Sequence, residues 1–188
     1  MAHIFLFRHG QTFYNRKKIF TGWKNSTLTL LGRKQARELG KMLNKIQFDV
    51  AYSSSLVRAR DTLTIVLKKH PECKKIIIDD RIIERSYGEL SGKSHQKTIE
   101  MYGLEQFEVW HRGWAARPPG GESYIDVKKR VADFISSLKK QYGGRDLNIA
   151  ISAHGNSIRL FRHIMEDSGI EETCRWTIPY NKFFEYEI

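Results

Sequence analysis

The sequence predicts an α/β fold: a three-layer sandwich with a mostly parallel central sheet and helices on both faces. Two observations carry this. Short apolar runs of strand length alternate with longer amphipathic stretches, and residues able to do chemistry recur directly after the runs. No repeat, low-complexity tract or Pro/Gly/Ser linker breaks the alternation, so residues 1–188 are expected to form a single domain.

The elements follow in order. Residues 3–7 (HIFLF) are apolar and end in polar and turn residues, as a buried strand does. Residues 30–46 place Leu31, Leu39, Leu43 and Ile46 at helical spacing behind Thr29, a suitable N-cap. Residues 48–52 read as a second strand, 56–68 as a helix and 76–78 as a third strand. The stretch 80–120 is irregular, with short helical pieces at 95–102 and 104–111. Pro118, Pro119, Gly120 and Gly121 then precede a helix capped by Ser123, with Val127, Val131, Phe134 and Leu138 on one face. Residues 147–153 (LNIAISA) form another buried strand, 157–165 a helix ending near Gly169, and 183–188 a last edge strand.

Composition narrows the function classes. With 40% hydrophobic residues in 188, the chain can bury a sizeable core, which excludes wholesale disorder. Its 32 Lys and Arg against 21 Asp and Glu give a net charge of +11, which asks for an anionic partner. No apolar run approaches the ~20 residues that span a bilayer, and the start MAHIFLFRHG lacks the features of a signal peptide. Cys73 and Cys174 form no C-x-x-C pair and read as free thiols rather than one long-range disulfide, which suits a cytoplasmic protein. Lysines fall in scattered pairs, such as Lys17-Lys18, Lys68-Lys69 and Lys139-Lys140, with no continuous stripe interleaved with aromatics. Neither nucleic acid nor a membrane is therefore expected as partner. His3, His70 and His163 have no ligand spacing, and no metal site is expected. The segment 88–94 (GELSGKS) resembles a phosphate loop but has three residues between its glycines instead of four, and no strand before it.

The chemistry sits at the strand ends. Arg8-His9-Gly10 follows the first strand and His154-Gly155-Asn156 follows LNIAISA. Arg58 lies early in the helix after the second strand, and Glu84 lies after the third. Each residue alone has an ordinary explanation as a loop, surface or salt-bridge residue. Together, in a parallel sheet, they converge on one edge as a cationic pocket with one acid. Such a pocket suits phosphoryl transfer. Arginine forks match phosphate oxygens at about 1.5–3 kcal/mol per charge-assisted bond. Histidine serves as nucleophile, flanking cations keep it unprotonated, and a carboxyl group handles the alcohol proton. Trp23, Trp110 and Trp114 read either as walls of the entrance or as packing.

Beyond R-H-G, the chain carries RHGQTFYN (8–15), FTGW (20–23), LVRARDT (56–62), ERSYGELSG (84–92), YGLEQFEVWHRGW (102–114), PPGGES (118–123) and AHGNSIR (153–159). These segments resemble the histidine phosphatase superfamily, and most closely its 2,3-bisphosphoglycerate-dependent phosphoglycerate mutases. The resemblance implies the phosphoglycerate mutase-like fold and assigns roles. His9 would carry the phosphoryl group, Arg8, Arg58 and His154 would hold it, and Glu84 would donate and accept the proton. Asn15, Thr21, Gly22, Gly155 and Asn156 match phosphate contacts, while Arg85, Tyr87 and Arg112 match substrate contacts. His95 stands where mutases usually carry a substrate-binding lysine, and His111-Arg112 where they carry paired arginines.

The implied activity is interconversion of 3-phosphoglycerate and 2-phosphoglycerate through a phosphohistidine. The implied primer is 2,3-bisphosphoglycerate, no metal is involved, and the chain would act as a monomer or homodimer on a small phosphorylated metabolite. The alternative is a phosphatase using the same chemistry with water as acceptor. Ile178-Pro179-Tyr180-Asn181 replaces the family's usual I-P-T-G. No segment matches the C-terminal tail that often covers mutase sites, nor the insertion usual before G-E-S, so the expectation is an open site in which hydrolysis competes.

Overall fold

A computed structural model describes residues Met1–Ile188. Five strands, β1 (Ala2–Arg8), β2 (Val50–Ser53), β3 (Lys75–Ile78), β4 (Leu147–Ala153) and β5 (Phe183–Glu187), form one sheet in the order β3-β2-β4-β1-β5. The first four run parallel, and β5 pairs antiparallel with β1 at the edge. Eight helices accompany them: α1 (Phe13–Arg16), α2 (Leu30–Met42), α3 (Val57–Leu67), α4 (His95–Tyr102), α5 (Leu104–Arg112), α6 (Tyr124–Tyr142), α7 (Gly155–Glu166) and α8 (Ile170–Arg175).

Successive strand residues point to opposite faces, and both faces are covered, so central strands read as unbroken apolar runs. Ile4 and Leu6 of β1 join Ile149 and Ile151 of β4 in packing against Val127, Val131, Phe134 and Leu138 of α6 and Ile158 and Phe161 of α7. Phe5 and Phe7 turn the other way, with Ala51 and Ala150, onto Leu39, Leu43, Leu63 and Val66 beside α2 and α3. Each fully buried side chain of this kind contributes about 1.5–3 kcal/mol. A third, smaller cluster of Phe20, Tyr87, Leu90 and Phe107 anchors α5 near the site.

Several boundaries differ from those the sequence predicts. α2 ends at Met42, short of residue 46, and Leu31 is half-exposed; Gly32, Ala36, Leu39 and Gly40 form its buried face instead. α7 begins at Gly155 and not Ser157, because the Ser157 hydroxyl accepts the His154 backbone N–H at 3.1 Å and closes the first turn early. It stops at Glu166, with Asp167 left-handed (φ +48°), and Gly169 instead precedes α8. α1 and α8 are too short to carry a periodic signal and were not expected.

The loop after β1 lies against the start of α2 so closely that a Cβ on Gly10 would sit 2.2 Å from the Gly32 carbonyl oxygen. No helix is long and apolar enough to cross a membrane.

Candidate active site

The four parallel strands deliver their carboxyl ends to one edge. His9 extends β1 by one residue, its N–H donating to the Ala153 carbonyl of β4 at 3.0 Å. Its ring is 1% exposed. Nδ1 lies 2.8 Å from the Gly10 carbonyl oxygen, an acceptor only, so Nδ1 holds the proton and Nε2 holds a lone pair. Arg58 Nε approaches that Nε2 at 3.3 Å, while its terminal nitrogens donate to the carbonyls of Lys24 (2.9 Å) and Gly22 (2.8 Å). Burial, and then the Arg58 and Arg8 guanidinium groups, hold the His9 imidazole well below its ordinary pKa. Arg58 itself, though brought down to about 10 chiefly by burial, stays charged at neutral pH.

His154 faces His9 with ring centroids 5.1 Å apart. Its Nε2 is 2.7 Å from the Ser54 hydroxyl, whose oxygen is approached by the Leu56 N–H at 3.4 Å, leaving the hydroxyl proton for His154. Nδ1 is then a buried N–H donor without a protein partner. Burial, then Arg58 and His9, keeps this ring neutral too. Arg8 completes the group: one terminal nitrogen donates to the Ile178 carbonyl at 2.7 Å, the guanidinium lies 4.1 Å from the centre of the Tyr180 ring, and Nε is buried without a partner.

Glu84 enters from the irregular segment after β3 and is 8% exposed. Its Oε1 accepts the N–H groups of Arg85 (2.8 Å) and of Asn156 in the first turn of α7 (3.1 Å), leaving Oε2 for the cavity. That cavity holds about 240 Å³. Asn15, Thr21, Gly22 and Tyr87 line it, as do Gly155 and Asn156. At its far end stand His95, His111 and Arg112. The two imidazoles lie 5.2 Å apart among Phe20 and Phe107. His111 is pushed down to about 3 by burial and then by Arg112, and His95 is lowered by burial and then Lys18, so both are uncharged at neutral pH.

Arg85 departs from its expected position. Its guanidinium is fully buried and spent on the carbonyls of Glu122 (2.6 Å), His111 (3.4 Å) and Ala116 (3.0 Å), packed by the rings of Tyr87 and Tyr124. The Glu122 and Ala116 carbonyls lie in irregular segments with no secondary-structure donor, and Arg85 supplies one from beneath the site. The tryptophans also stay out of the cavity. Trp23 donates to the Glu84 carbonyl at 2.7 Å, Trp110 packs on Tyr102, and Trp114 packs on Tyr124.

Sequence reasoning missed Lys18, Arg159 and Thr177 as site residues, and noted Ile178 and Tyr180 only within the segment that replaces I-P-T-G; all five line the cavity. Arg159 follows Asn156 by three residues on α7, a spacing that shares a helix face and was the available signal. It donates to Asn156 Oδ1 at 2.5 Å, to the Tyr124 hydroxyl at 3.0 Å and to the Trp176 carbonyl at 2.6 Å, with Nε left buried and unpartnered. The cleft wall thus carries the Arg8 guanidinium, the Glu84 carboxyl group and the cations Lys18, Arg112 and Arg159, with neutral His9 and His154 and charged Arg58 buried behind it.

The sequence matches the histidine phosphatase superfamily (branch 1) over residues 4–187. It is 39% identical over 190 residues to a 2,3-bisphosphoglycerate-dependent phosphoglycerate mutase of Parvibaculum lavamentivorans, covering 98% of this chain and 90% of that one. It is 35% identical over 181 residues to 2,3-bisphosphoglycerate-dependent phosphoglycerate mutase 2 of Gloeobacter violaceus, covering 96% and 83%. The backbone superposes on a mycobacterial glucosyl-3-phosphoglycerate phosphatase with a TM-score of 0.85 at 25% identity, covering 98% and 92%.

Proposed function

The chain belongs to the histidine phosphatase superfamily, branch 1, and from that premise we propose that it is a cytoplasmic, metal-independent phosphoglycerate mutase. It would interconvert 3-phosphoglycerate and 2-phosphoglycerate through phospho-His9, with 2,3-bisphosphoglycerate as primer. The observation that carries this reading is the cation-lined cleft. Arg8, Lys18, Arg112 and Arg159 line it, as a substrate with more than one anionic group requires, and His9 with Arg58 lies buried behind Arg8, Gly22 and Tyr180 of its wall. The buried unpartnered donors, Arg8 Nε, His154 Nδ1 and Arg159 Nε, fit a ligand rich in phosphate oxygens. Relatives named as mutases at 35–39% identity support it further.

The chemistry follows from these residues. His9 Nε2 attacks the phosphorus of the bound ester as the phosphorus–oxygen ester bond breaks. Glu84, entering as the acid, gives its proton to the leaving alkoxide oxygen through Oε2. Arg8, Arg58 and the His154 Nδ1–H bear on the three transferring oxygens, where charge concentrates. After the monophosphoglycerate turns in the cleft, Glu84, now a carboxylate, takes the proton of the hydroxyl that attacks phospho-His9. The phosphoryl group leaves with that oxygen, and the Nε2 lone pair is restored. His9 needs no prior deprotonation at neutral pH, because burial and its two arginines already keep it neutral.

A second reading has its own observation. His95 and His111 are uncharged where the mutases it resembles carry cations, which weakens the hold on a second anion and favours water as acceptor. One experiment separates the readings. The protein is incubated with labelled 2,3-bisphosphoglycerate, the label is mapped, and its acceptor is followed. Label on His9, absent in His9→Ala and passed to monophosphoglycerate, is expected. Transfer to water faster than to monophosphoglycerate selects the phosphatase. No labelling, and no turnover in a coupled mutase assay with or without primer, overturns the proposal.

A further inference from the structure

Most of the +11 charge lies away from the cleft, and part of it is concentrated. A groove of about 250 Å³ between α2 and α3 is lined by Arg33, Arg37 and Lys41 of α2 and by Lys68 and Lys69 just past α3. Its floor is Gly40 and Ile65. The three α2 cations are spaced four residues apart and so stack along one helix face over about 12 Å. Gly40 permits the concavity: a Cβ there would already stand 3.4 Å from the Val66 backbone, so the helices approach along this line.

The charges are uncompensated. None of the five makes an ion pair or a side-chain hydrogen bond. Elsewhere on the surface, cations of this chain do find partners: Lys34 pairs with Glu38 on the same helix, Arg162 with Glu166 and Arg175 with Glu171. The acids on these two helices, Glu38 and Asp61, do not line the groove. Five like charges gathered around a concavity repel one another until an anion enters.

We propose that this groove is a second anion site, separate from the catalytic cleft, for linear inorganic polyphosphate of three or more linked phosphates. The occupant follows from the lining. A multivalent anion is needed to engage both the α2 stripe and the pair beyond α3. No aromatic ring is present to stack on a base, and no carboxylate or amide side chain to read a base edge, so neither a nucleotide nor single-stranded nucleic acid gains by adding its base.

The test is calorimetric titration of tripolyphosphate into the full chain, with orthovanadate saturating the catalytic cleft. One further site is expected, weakening with salt. Arg37→Ser/Lys41→Ser should loosen it by about tenfold or more, and Arg33→Ser/Lys68→Ser should do the same if the first pair perturbs α2. Lys139→Ser/Lys140→Ser, which removes the same charge from α6, should leave it unchanged, and ATP should bind no tighter than tripolyphosphate. The proposal is overturned by the absence of a site under vanadate, or by equal weakening in the α6 control. Tighter binding of ATP, or of phosphatidylserine vesicles through the groove residues, overturns it as well.

Discussion

Lowering the pH from 7 to 5 should destabilise this fold well before its carboxylates begin to matter. His111, held near 3 by burial and Arg112, remains neutral in the folded chain across this range. In the unfolded chain it titrates near 6.5, so the unfolded state takes up a proton that the folded state refuses. Stability therefore falls as pH drops below about 6.5. At pH 5 the penalty for one such group is about 2 kcal/mol. His9 and His154 are lowered by the same cause, burial, and act in the same direction, adding to that loss. Even the loss from one ring is a sizeable share of a domain's 5–15 kcal/mol. Asp79, Asp126 and Glu166 are depressed by their arginine partners, so their contribution is intact above the ordinary carboxylate range and disappears only at lower pH. Urea unfolding at pH 7 and pH 5 reads the difference: with a slope near 2 kcal/mol per molar, the midpoint should drop by about 1 M or more. His111→Phe, which suits its aromatic neighbours, should recover about 2 kcal/mol of the loss. A midpoint that moves by less than about 0.5 M between the two pH values would refute the burial argument for all three rings.

Three substitutions test the site and its frame. Glu84→Gln keeps an oxygen for the Arg85 and Asn156 N–H groups but cannot trade a proton, so kcat should fall by about 10²–10⁴-fold with KM little changed; steady-state kinetics showing less than about a tenfold loss removes Glu84 from the proton step. Gly10→Ala forces a methyl into the Gly32 carbonyl and should cost about 1–3 kcal/mol or more, lowering Tm by roughly 5–10 °C; an unchanged melt means the two loops separate freely. Tyr180→Ala removes the ring stacked on Arg8, a contact of about 0.5–2 kcal/mol, and should raise KM by roughly 2- to 30-fold while admitting bulkier phosphoesters; unaltered KM and unaltered substrate range assign the ring to packing alone.

The legible part of this molecule was whatever depends on period and order. HIFLF and LNIAISA declared themselves as strands because both sheet faces are buried, and parallel strands then bring His9 and His154 to one edge. Direction was not legible. Glu84 and Arg85 are adjacent, yet one carboxylate turns into the cleft and the neighbouring guanidinium turns beneath it, because the loop carbonyls of Ala116 and Glu122 lack other donors. Segments joined only in three dimensions were equally hidden: Thr177 and Ile178 reach the cavity through the carbonyl held by Arg8, a contact across most of the chain. Helix ends moved by a couple of residues where a single side chain, such as Ser157, decided the cap.

The adjacency of β1 and β4 carries a consequence for biosynthesis. Residues 2–8 are synthesised long before their parallel partner, residues 147–153, and His9 and its facing histidine sit one step beyond that pairing. A partly made chain thus holds Arg8-His9 on an apolar strand with both sheet neighbours, β4 and β5, still missing. Closing the β1–β4 ladder brings His9 and His154 together, and β5 then covers the open edge of β1, so the site and the sheet are assembled in the last steps of the fold.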